Sequence, residues 1–82
     1  MSSYITDNGG SLSMSEYGVP YNRFKGRCSP ATGTNVYITL YHDPTVDCYN
    51  VVLESGDIVE ALIGFTYQQA MEKFTSLVKW WR

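Results

Sequence analysis

Basic residues are missing from the whole middle of this chain. Arg23, Lys25 and Arg27 form one group and Lys73, Lys79 and Arg82 another, with no Lys or Arg between Cys28 and Glu72. That same stretch carries Asp43, Asp47, Glu54, Asp57, Glu60 and Glu72. It should project a negative field, which repels phosphate backbones and attracts basic protein surfaces. The plain alternative is a set of acidic turns that only keeps a small protein soluble. Long apolar runs are also missing. None approaches the roughly 20 residues that span a bilayer, so no membrane helix is expected. Met1-Ser2-Ser3-Tyr4 has neither a basic leader nor an apolar stretch, which makes the cytoplasm the expected location. A length of 82 residues suits one domain and excludes a large multi-substrate enzyme.

The residues that usually carry chemistry are equally scarce. His42 is the only histidine, and Cys28 and Cys48 are the only cysteines. A thiol nucleophile needs a histidine within hydrogen-bond reach and a third group to orient the ring. His42 ends one strand pattern and Cys48 starts the next, so proximity across a hairpin is conceivable, but a turn histidine beside a packing cysteine explains both. The expectation is no catalytic site. No Cys or His pair has the spacing of a zinc loop, and the run His42 to Asp47 lacks the Gly and bidentate Glu of a calcium loop. Ile63-Gly64-Phe65-Thr66 has one glycine and a bulky Phe where a nucleotide-binding turn needs several glycines. No metal and no cofactor are expected. Without a secretory signal, both cysteines are expected reduced and buried.

What is abundant is apolar and aromatic, in patterns that specify elements. Val36-Tyr37-Ile38-Thr39-Leu40-Tyr41 is a strand by composition, with Val36, Ile38 and Leu40 on one face and Tyr37, Thr39 and Tyr41 on the other. His42 to Asp47 turns the chain. Tyr49 to Glu54 makes a second strand, Ser55-Gly56-Asp57 turns again, and Ile58 to Ile63 makes a third before Gly64 breaks it. Short connections predict an antiparallel meander over 36–63. A helix follows over 66–81, with Thr66 as N-cap and Gln69 completing a capping box. Tyr67, Ala70, Met71, Phe74, Leu77, Val78 and Trp81 recur at spacings of three and four, an apolar stripe that must cover a sheet face. Trp80 falls about 110° from the centre of that stripe at 100° per residue.

Residues 1–35 differ in texture, being rich in Ser and Gly. Asn8-Gly9 is a hairpin signal between Tyr4-Ile5-Thr6 and Ser11 to Ser15, while serine content favours a frayed tail. Tyr21 to Cys28 alternates as a strand, which would set Arg23, Lys25 and Arg27 on one face and Phe24 with Cys28 on the other. The expected fold class is α+β: a single domain with an antiparallel sheet of three to five strands and one C-terminal amphipathic helix packed on one face. The N-terminal segment would add a hairpin or an edge strand.

Function is then expected on the exterior. Tyr37, Tyr41 and Trp80 are candidate anchors, since Tyr and Trp bring rigid contact area at low entropic cost. Asp43, Asp47, Glu54, Asp57 and Glu60 would oppose the Lys and Arg of a larger protein that handles nucleic acid. The expected role is a small non-enzymatic inhibitor or modulator, with homodimerisation compatible. Short acidic domains of this kind are the type of product that phages use against host defences, anti-CRISPR proteins among them; that comparison rests on size and charge alone. The second reading is a nucleic-acid-binding or regulatory protein that uses Arg23, Phe24, Lys25 and Arg27 as single-strand binders do. The pI near 5.1 argues against nucleic acid as a partner on its own.

Overall fold

A computed structural model describes residues 16–82 of the chain. Four strands form one antiparallel meander in sequence order: β1 (Val19–Cys28), β2 (Asn35–Asp43), β3 (Cys48–Ser55) and β4 (Ile58–Phe65). A single helix, α1 (Tyr67–Trp81), packs across one face. This is the expected α+β architecture, with β1 as the added edge strand. The hairpin expected around Asn8-Gly9 lies outside the described residues.

The core follows from the alternation in β2. Val36, Ile38 and Leu40 are fully buried against Val51 of β3 and Ala70 and Phe74 of α1. Phe24, Leu53, Leu77, Val78 and Trp81 close its margins. Ala70 matters by being small, because it lets the helix backbone approach the sheet. Thr66 caps α1 as expected: its hydroxyl accepts from Gln69 N at 3.2 Å, and Gln69 Oε1 accepts from Thr66 N at 3.2 Å. Two of the helix's orphan amides are thus settled within one turn.

The opposite sheet face is not bare. Thr39 and Val52 point away from the helix yet are 2% and 0% exposed. Thr39 Oγ1 is buried there with no hydrogen-bond partner. Asn50, also on this face, ties two segments together. Its Nδ2 donates to Tyr17 O at 2.6 Å, and its Oδ1 accepts from Gly64 N at 2.9 Å.

Three expectations need correcting. Gly64 does not end β4; at φ 86° it sits in an irregularity of the β3–β4 ladder, and the strand runs on to Phe65. Arg27 does not share a face with Arg23 and Lys25. The β1–β2 register slips between Lys25 and Cys28, which turns Arg27 over the Trp81 ring at 4.8 Å. Cys28 is exposed rather than buried, while Cys48 is half-buried; both are free thiols. The slip that moves Arg27 also removes Cys28 from the inward row.

Candidate functional site

Of the three hairpin connections of the meander, the two that flank β3 lie at its opposite ends. Its eight residues span about 25 Å at 3.3 Å each. Asp43 and Asp47 belong to one end, and Glu54, Asp57 and Glu60 to the other. The five carboxylates are therefore two groups.

At the first end the acids are engaged locally. Asp43 Oδ1 accepts from Thr45 N at 3.0 Å and from Thr45 Oγ1 at 2.6 Å. Those bonds, the side-chain one first, hold the Asp43 carboxyl below the usual carboxylate range. Asp47 takes the left-handed conformation at φ 52° and places Oδ1 3.1 Å from His42 Nε2. His42 stacks on Tyr49, with ring centroids 4.5 Å apart. Cys48 pairs with Asp43, one residue out of phase with the His42–Tyr49 pair, so the thiol and the imidazole lie on opposite faces of the hairpin. No group of three or more His, Cys, Asp or Glu placed to hold a metal occurs among the described residues.

The second end has a different build. The loop 29–34 folds back on itself through Ser29 N to Thr34 O at 2.9 Å and Gly33 N to Ser29 O at 2.8 Å. Thr32 and Thr34 then join their hydroxyls to Ser55 Oγ at 2.6 and 3.1 Å. This hydroxyl cluster fixes the loop against the β3–β4 turn. Gly56 opens that turn at φ 59°, the positive value wanted at the first position of a type II′ hairpin. Across from the loop, Arg27 braces the end of α1: its guanidinium lies over Trp81 and donates to Trp80 O at 3.2 Å. Between the loop 29–34 and the end of α1 lies an open groove of about 420 Å³, lined by the half-buried Leu53, Leu77 and Trp81 and by the exposed Ile58, Glu60 and Trp80. Trp80 is 69% exposed and Ile58 is 47% exposed.

Of the residues singled out from sequence, the structure brings Glu60 and Trp80 to this groove, with Glu54 and Asp57 on the adjoining hairpin end. Tyr37 and Tyr41 are elsewhere. Both are half-buried on the outer sheet face, Tyr37 beneath the Arg23 guanidinium at 4.7 Å and Tyr41 against Tyr17 at 5.7 Å. The basic strand is divided: Arg23 rests on Tyr37, Arg27 braces the helix end, and Phe24 packs into the core.

Sequence reasoning missed two features. Arg27 is a brace, and only the register slip reveals it. Tyr21, Tyr49 and Tyr67 meet edge to face near the start of α1, at 5.2 to 6.0 Å. A hydrogen bond with Tyr21 holds the Tyr67 phenol above its ordinary range. These rings lie far apart in the chain, so no local pattern announces the cluster. No family model matches the chain, and no curated protein or solved structure matches it at a significant level.

Proposed function

We propose that this domain binds a larger protein through the groove at the end of α1, and that this binding inhibits or modulates the partner. The observation that carries the reading is the exposed Trp80 and exposed Ile58 in a groove also lined by Leu53, Leu77 and Trp81, with Glu60 exposed in the same groove. A large ring held on a helix is a rigid anchor, and its burial by a partner supplies the desolvated centre of an interface. Glu60 in the groove, Asp57 in the adjoining turn and Glu54 on the other face of the same hairpin outnumber the single Arg27 guanidinium engaged by Trp80 and Trp81, so a partner surface rich in Lys and Arg is favoured and steered. A nucleic-acid-handling protein offers such a surface, and an anti-defence role in the manner of phage anti-CRISPR proteins fits this chemistry. Its working place would be the cytoplasm, the host's if the chain is phage-encoded. Self-association is compatible with the same exterior.

The test begins with affinity capture of the partner by the tagged chain in its native cell. Binding to the purified partner is then measured for the wild type, Trp80→Ala, and the triple variant Glu54→Lys, Asp57→Lys, Glu60→Lys. Trp80→Ala should weaken affinity by about tenfold or more. The triple variant should slow association, most at low salt. Affinity that ignores all four substitutions and ionic strength would discard the reading. The second reading, nucleic-acid binding through Arg23 and Lys25, predicts a gel shift with DNA or RNA alone. The division of the basic strand and the packing of Phe24 against the core count against it.

A further inference from the structure

The margin of the sheet at β4 is built unlike the rest of the molecule. Along this edge strand Ile58, Val59, Leu62 and Ile63 are all exposed, Ile63 to 65%, and Glu60 is the one charge. Edge strands normally defend themselves with Lys, Pro or inward-pointing charge. β4 carries no Lys and no Pro. Ser55 and Ile58 flank a two-residue turn, so they form a hydrogen-bonded pair of the ladder, as do Leu53 with Glu60 and Val51 with Leu62. The N–H and C=O groups of Val59, Ala61 and Ile63 therefore point away from β3, off the edge.

We infer that β4 pairs with β4 of a second copy of this chain, antiparallel about a two-fold axis at Ala61, to make a continuous eight-stranded sheet. The strand is self-complementary in that register. Ala61 faces Ala61 of the second copy, and Val59 faces Ile63, which covers two exposed β-branched side chains on the outer face. The outward groups of Val59, Ala61 and Ile63 supply about six backbone hydrogen bonds across the axis. Glu60 faces Leu62 rather than its own copy, so like charges stay apart. A centre one residue earlier sets Glu60 against Glu60. A centre one residue later runs the ladder into the irregularity at Gly64. Charge and backbone geometry select Ala61.

β4 lends Ile58 and Glu60 to the groove as well, but Val59, Ala61 and Ile63, on which this inference rests, do not line it. The mass of the full chain is followed by sedimentation against concentration. It should rise from 9.3 kDa toward twice that value and no higher. Ile63→Lys should weaken the dimer by about tenfold or more while leaving the far-ultraviolet circular dichroism unchanged. Amide exchange keeps the test decisive even if a variant misfolds. Val59, Ala61 and Ile63 amides of the wild type should become protected as concentration rises, whereas those of Ile58, Glu60 and Leu62 are protected throughout. A chain that stays monomeric at millimolar concentration overturns the inference. So does a larger oligomer, or a dimer whose Val59, Ala61 and Ile63 amides stay open.

Discussion

β2 and β4 share aliphatic residues and stand in opposite circumstances. Each carries Val, Ile and Leu, interleaved with Tyr and Thr in β2 and with Glu and Ala in β4, and either segment alone reads as a strand. In β2 the inward row is completely buried, while every large apolar side chain of β4 before Phe65 is exposed. The difference comes from position. β2 has a strand on each side and α1 above it, whereas β4 is the last strand and the helix core closes over β2 and β3. Apolar content thus marks a strand, and the place of that strand in the sheet decides whether the content stabilises the fold or faces outward.

The largest expected contrast comes from truncating one residue in each strand. Ile38→Ala should cost about 2–5 kcal/mol in urea unfolding, because it leaves a cavity in the centre of the core. Leu62→Ala should cost below about 1 kcal/mol. Equal losses would break the comparison. Next is Thr39→Val, which removes a buried hydroxyl without a partner and keeps the shape. It should raise stability by about 1 kcal/mol, and a loss would reveal a bond to that oxygen. Thr66→Ala should cost about 1 kcal/mol by melting temperature, since the cap serves the helix that covers β2.

The smallest effect is a titration. Hydrogen bonds from Thr45 lower the Asp43 pKa in the folded chain, so their stabilisation is complete above the ordinary carboxylate pKa of about 4 and disappears as pH falls through the lower folded value. An NMR titration should place the Asp43 midpoint below the ordinary value and move it upward in Thr45→Ala.

Much of this architecture was legible in the sequence because it is written locally. The alternation Val36, Ile38, Leu40 fixes a face, and Thr66 with Gln69 fixes a helix start; neither needs knowledge of the rest of the fold. What escaped depends on pairing. Gly64 looks like a strand end, since no local pattern shows that its amide is received by Asn50 across the ladder. Arg27 has the parity of Arg23 until a register slip against β2 reverses it. The candidate site divides the same way. Trp80 was visible as a residue off the helix stripe, while the separation of Asp43 and Asp47 from Glu54, Asp57 and Glu60 follows from the length of β3. Charge counted along a chain says nothing about distance across a sheet.

The two slips in β1 have a consequence for assembly. With Pro20 near one irregularity, Arg27 drawn onto Trp81 by the other, and Gly26 so close to the helix end that an added Cβ would meet the Trp81 carbonyl oxygen at 2.9 Å, that flank is kinked and locked to the helix end. It makes a poor template for further strands. A molecule with one receptive border and one refractory border can join another of its kind once and then has nothing left to offer. Stacking through β4 would terminate as a closed pair, and the exposed isoleucines need not seed a fibre.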